Sequence, residues 1–110
     1  MGYSVINSNF ALKMRSMKTE YQNRIIMTLK KLREEKGITQ ASIAQYLDIS
    51  AGQLGNIESY KQKHKYTLKQ IVMLCEKFDY SVQDLFLQEP NSNGSINEIL
   101  SKIIEYEDNK

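Results

Sequence analysis

Little in this 110-residue chain invites covalent chemistry: it has one cysteine, one histidine and no tryptophan. A single cysteine makes no internal disulfide, which fits a reducing compartment. Cys75 falls on the apolar side of a helical pattern and reads as a small core residue. His64 is flanked by lysines and has no second His or Cys at ligand spacing, so no metal site is expected. No glycine-rich phosphate loop, nucleophile elbow or HExxH pattern occurs. Glu34, Glu35, Glu76 and Asp79 read as solvated helix surface. The expectation is a protein that is not an enzyme and takes no cofactor. Apolar runs long enough to cross a membrane are also missing, and Met1–Lys18 lacks the apolar centre of a signal peptide. A cytoplasmic protein without a membrane partner is therefore expected. Nor is there a large excess of one charge: the net charge is +2, with 41% hydrophobic and 25% charged residues, ordinary values for a globular domain.

The distribution of charge says more than its total. Met1–Lys18 carries Lys13, Arg15 and Lys18 and no acid, hence +3; Thr19–Glu89 comes to +1 and Pro90–Lys110 to −2. Within the middle block, Ser59–Gln70 holds Lys61, Lys63, Lys65 and Lys69 and no acid. A lysine run is most often just a soluble surface, so its meaning depends on what lies beside it.

Helical periodicity runs through most of the chain. Thr19–Lys36 shows Ile25, Leu29 and Leu32 on one face with Ile26 and Arg33 beside it. Gly37 supplies a left-handed end, onto which Ile38 folds back. In Thr39–Glu58, Ile43, Ala44 and Leu47 recur at helical spacing and Asp48-Ile49 breaks the run. Ser50 then restarts it, with Leu54 and Ile57 facing inward. Ser50 with Gln53 forms a capping box, as does Thr67 with Gln70. The latter opens a helix with Leu68, Ile71, Val72, Cys75 and Phe78 towards the core. Ser81 with Asp84 starts a last short helix whose Val82, Leu85 and Phe86 close the domain. Pro90–Gly94 is a linker by composition.

Two short helices at a tight corner, with small Ala44 at the crossing, resemble the helix-turn-helix of the phage-repressor (Xre-type) family of DNA-binding proteins. The resemblance covers about Ile26 to Phe86. It implies an all-α chain: a five-helix, lambda-repressor-like domain over 19–89, preceded by a basic arm over 1–18. A linker over 90–95 and an amphipathic helix over 96–110 would follow. It places Ala51, Gly52, Gln53 and Asn56 at the DNA groove as base readers. Thr39, Gln40 and Ser50 would hold the DNA backbone, joined by Lys61, Lys63, Lys65 and Tyr66 of the following loop. In the family an arginine before the motif pairs with a glutamate ending the recognition helix, and Arg33 and Glu58 stand at those places. Asp48 replaces the usual corner glycine, which is tolerable because Asp reaches the left-handed region readily. Gly52 and Gly55 each cost about 1 kcal/mol of helix propensity relative to Ala. Either the backbone approaches DNA closely there, or the helix is loose until something orders it.

Ile96, Ile99, Leu100, Ile103 and Ile104 make a stripe too apolar to leave in water, suited to dimerisation or to packing on the chain's own domain. The function implied is a dimeric repressor binding double-stranded DNA at a partly palindromic operator, encoded in a bacterium, phage or mobile element. The alternative is an antitoxin or protein-interaction module of the same fold, with a toxin or antirepressor as its protein partner.

Overall fold

The computed structural model describes residues 17–89 and 94–108, which form six helices and no strand. Most of the basic arm expected over 1–18, and residues 90–93 of the linker, lie outside the described residues.

Each helix starts where the sequence offers a hydroxyl to its orphan N–H groups. Thr19 caps α1 (Glu20–Glu35), accepting from the Gln22 amide at 3.1 Å, while the Gln22 side chain accepts from Thr19 N–H at 2.8 Å. Gly37, at φ 69°, ends α1, and Ile38 N–H returns to the Arg33 carbonyl at 3.0 Å. Thr39 then caps α2 (Gln40–Leu47), and Ser50 with Gln53 boxes α3 (Ala51–Glu58). Asp48 makes the corner between them in the left-handed conformation, φ 60° and ψ 45°. Thr67 with Gln70 opens α4 (Leu68–Phe78), and Ser81 caps α5 (Val82–Leu87). Ser95 caps α6 (Ile96–Glu107), accepting from Glu98 N–H at 3.2 Å.

Ile25, Ile26, Leu29, Ile43, Ala44, Leu54, Ile57, Ile71, Leu85 and Phe86 fill the centre. One helical position departs from expectation. On α4 the inward residue is Leu74, whereas Val72 is exposed. Ile71, Leu74, Cys75 and Phe78 keep a three-and-four spacing along one face, and Val72 stands about 100° round the helix from Ile71.

The last helix belongs to this core. Tyr106 is fully buried, meets Phe86 edge-on at 6.0 Å between ring centroids, and donates its hydroxyl to the Tyr66 carbonyl at 2.7 Å. Gln22, buried in α1, donates to the carbonyls of Tyr106 at 2.6 Å and Asp108 at 3.0 Å. The carbonyls that α6 leaves open at its end are thus satisfied by another helix. Tyr21 donates its hydroxyl to the Phe86 carbonyl, so α1 also holds the end of α5.

Candidate nucleic-acid interface

The base of α3 is fixed by a buried ion pair. Arg33 Nε lies 2.9 Å from Glu58 Oε2, and its Nη2 donates to Oε1 at 3.0 Å, a two-pronged fit of guanidinium to carboxylate. Arg33 Nη1 donates to the Ile38 carbonyl at 2.6 Å, and Gln40 Nε2 adds a bond to Glu58 Oε1 at 2.8 Å. Both charged side chains are largely removed from water, and the bond to Glu58 is the chief cause that raises the Arg33 pKa. The cluster joins α1, the start of α2 and the end of α3, and so sets the angle at which α3 leaves the core.

With Leu54, Ile57 and Glu58 turned inward, α3 presents Ala51, Gly52, Gln53 and Asn56 to solvent. The face is sparse. Gln53 Oε1 is engaged in the cap at 2.8 Å from Ser50 N, which leaves its amide NH₂ for an outside acceptor. A Cβ added at Gly55 would meet nothing within 4 Å, and one at Gly52 would meet only Ser50 Oγ at 3.9 Å. Packing within the domain therefore does not require either glycine.

Thr39 and Ser50 are exposed beside this face, each serving its own helix as cap. Gln40, expected at the DNA backbone, spends its amide NH₂ on Glu58 and so braces the ion pair. The start of α2 is exposed at Thr39, Gln40 and Ala41, and a helix N-terminus is the end that favours an anion.

The loop from Ser59 to Tyr66 divides the expected basic residues into two sets. Lys61 and Lys63 are exposed. Lys65 turns away, its ammonium 3.3 Å from the carbonyls of both Tyr106 and Glu107 and over the Tyr106 ring at 5.4 Å. There its charge complements the C-terminal end of α6. Tyr66 corrects the expectation of a surface phosphate contact: it is 2% exposed, within the core beneath the loop, and burial drives its hydroxyl pKa upward. A side chain so enclosed reaches no phosphate.

Lys18 is a residue that sequence reasoning missed here. Although a lysine in the expected arm, it is 7% exposed and donates to the carbonyls of Ser59 at 2.9 Å, Gln62 at 2.6 Å and His64 at 2.7 Å. Burial pushes its pKa down to about 8, and the three carbonyls offset part of that cost. Its partners lie more than forty residues away, so no local pattern announces it. Tyr106 was missed too, yet it was findable: it continues the Ile99–Ile103 face at the next helical step.

The stripe expected on α6 is split between two sides. Ile99 and Ile103 are half-buried, Ile103 against the domain core, in line with buried Tyr106. Ile96, Leu100 and Ile104, at four-residue spacing, face solvent, with Ile96 67% and Ile104 68% exposed.

Among the described residues no group of three or more His, Cys, Asp or Glu side chains is placed to hold a metal. Within the same residues no helix is long and apolar enough to cross a membrane. Residues 29–85 match the helix-turn-helix family. Over 55 residues, half of this chain, the sequence is 34% identical to the HTH-type transcriptional regulator PrpR of Mycobacterium tuberculosis. That stretch covers 11% of the relative, so the chain spans a small part of that protein's length. No solved structure matches the chain.

Proposed function

Because the chain belongs to the helix-turn-helix family, we propose that it binds double-stranded DNA and regulates transcription, acting as a dimeric repressor. The observation that carries this reading is the contrast across α3. Its inner side is fastened by the Arg33–Glu58 pair, while its outer side is thin, polar and uncovered, with exposed lysines following at once. Such a helix fits the major groove. Asn56 would bond adenine N6 and N7 together, and Ala51 would meet a thymine methyl. Gly52 and Gly55 would let the backbone come close. Thr39, Ser50, Lys61 and Lys63 would hold the phosphates and set the register.

Dimerisation would come from α6, through Ile96, Leu100 and Ile104. Ile99 and Ile103 support it from below by anchoring the helix. Two copies joined there would place two α3 helices in successive major grooves, about 34 Å apart, on a partly palindromic site. Bound at a promoter, the dimer would occlude it.

Retarded migration of DNA from upstream of the gene, weakening steeply with salt, is the result expected. No shift at low salt on any duplex overturns the reading. The same exposed stripe supports a second reading, in which α6 receives a different protein, such as a toxin. A stable one-to-one complex with the product of a neighbouring gene, formed by a monomeric chain, would favour that reading.

A further inference from the structure

The loop between α3 and α4 has little backbone bonding of its own. Gln62 N–H reaches the Ser59 carbonyl and Lys61 N–H reaches Ser59 Oγ, both at 3.3 Å, the long end of hydrogen-bond geometry. The short bonds come from outside: the Tyr106 hydroxyl holds the Tyr66 carbonyl at the far end, and over residues 59–64 the Lys18 ammonium collects the carbonyls of Ser59, Gln62 and His64 within 2.9 Å. An ammonium has three N–H donors, and here each has one acceptor. Gathering three carbonyls on one point curls residues 59–64 around Lys18, and the side chains of Lys61 and Lys63 remain exposed on the outside. Lys18 itself precedes α1 and is separated from the loop by three helices, α1, α2 and α3, so the contact is tertiary.

We propose that Lys18 is a positioning residue for DNA binding: it holds the 59–64 loop in one shape, so that Lys61 and Lys63 meet the phosphates already in place. The proposal rests on the DNA-binding reading above. A loop free to sample many shapes would have to be ordered on binding, and affinity would fall by that cost. Lys18 would touch no DNA. Its charge is enclosed by the loop, so its removal acts through Lys61 and Lys63 rather than through a phosphate of its own.

A double-mutant cycle tests this. Lys18→Met should weaken operator binding about tenfold and lower the salt slope towards that of Lys61→Ala/Lys63→Ala. Added to that pair, Lys18→Met should change affinity less than about twofold, because the loop then has nothing left to position. In the DNA-free protein, amide order parameters of Gln62, Lys63 and His64 should fall in Lys18→Met, while those of α3 stay put. Should Lys18→Met fail to fold, Lys18→Arg, which keeps charge and donors, enters the same cycle. Any loss it shows should vanish on the Lys61→Ala/Lys63→Ala background. A full, additive loss on that background overturns the inference, as do unchanged loop amides. If the unmutated protein shifts no DNA at all, the DNA-binding reading fails first, and the cycle shows that separately.

Discussion

The helices α3 and α6 are both short and both capped by serine, yet they are secured and exposed in opposite ways. The Arg33–Glu58 pair and Gln40 hold α3 at its C-terminal end. Buried Tyr106, with Gln22 and Lys65 on the last carbonyls, holds α6 at its own. Their outer faces differ in kind: glycine, alanine and amides on α3, branched aliphatics on α6. A polar, uncluttered face loses little by facing water and admits a close, hydrated partner. An aliphatic face loses about 1.5–3 kcal/mol for each large side chain left uncovered, and is suited to another apolar surface. The contrast teaches that anchoring and recognition are separate properties of a helix, carried by different sides of it.

The strongest way to break the comparison is to cut the anchors. Glu58→Ala strands a buried guanidinium and should cost about 3–5 kcal/mol. Tyr106→Ala should cost a similar amount, about 3–5 kcal/mol, through the cavity it leaves. Thermal unfolding checks both, and an unchanged melting temperature in either would mean that the helix concerned is not anchored as described. Next comes the outer face of α6. Leu100→Asp with Ile104→Asp should turn the proposed dimer into a folded monomer in sedimentation, with melting lowered only by the lost association. Ile99→Asp with Ile103→Asp should lower melting, because those side chains point to the domain. A reversal of these two results would exchange the roles of the two sides.

On the outer face of α3 the expected effects are smaller. Asn56→Ala should lose about 1–3 kcal/mol at particular bases. Lys61→Ala and Lys63→Ala should weaken binding to all sequences and reduce the salt slope by about one each. Equal losses on operator and random duplex would remove Asn56 from the readers. Smallest is Gly55→Ala, which should stabilise the fold by about 1 kcal/mol because its methyl meets open space. The same variant should bind DNA more weakly if the backbone lies against the duplex. Unimpaired binding would place the glycine away from it.

Much of this arrangement was legible in the sequence because it is local. Ser50 with Gln53, Thr67 with Gln70 and Gly37 followed by Ile38 are patterns within one turn of helix. They placed the starts of α3 and α4 and the end of α1. Residue type and spacing likewise put Leu54 and Ile57 inside. What the sequence concealed depends on partners far along the chain. Lys18 looks like any basic residue of an arm until three carbonyls gather on it. Tyr66 looks like a phenol for a phosphate until Tyr106 claims its carbonyl and the core encloses its ring. Lys65 and Lys63 are indistinguishable by type and spacing, yet one caps α6 and the other faces water. Periodicity alone also treated the α6 stripe as one face, although five residues at 96, 99, 100, 103 and 104 span enough of the helix to serve two.

The Gln22–Tyr106 bond spans 84 residues of chain, and that separation bears on the order in which the molecule assembles. If α6 docked first, the whole intervening chain would have to close as one loop. Once α1–α5 are packed, only the stretch from the end of α5 to the start of α6, about eight residues, must turn back. Loop-closure entropy favours that second route by about 2 kcal/mol. On that ground α6 should dock last in folding and leave first in unfolding, in a partial opening that would keep the other helices packed. Amide protons of α6 would exchange with solvent through this opening, ahead of those in α1. Each such excursion would also withdraw the Tyr106 hydroxyl from the Tyr66 carbonyl, loosening the far end of the lysine loop in step with the helix.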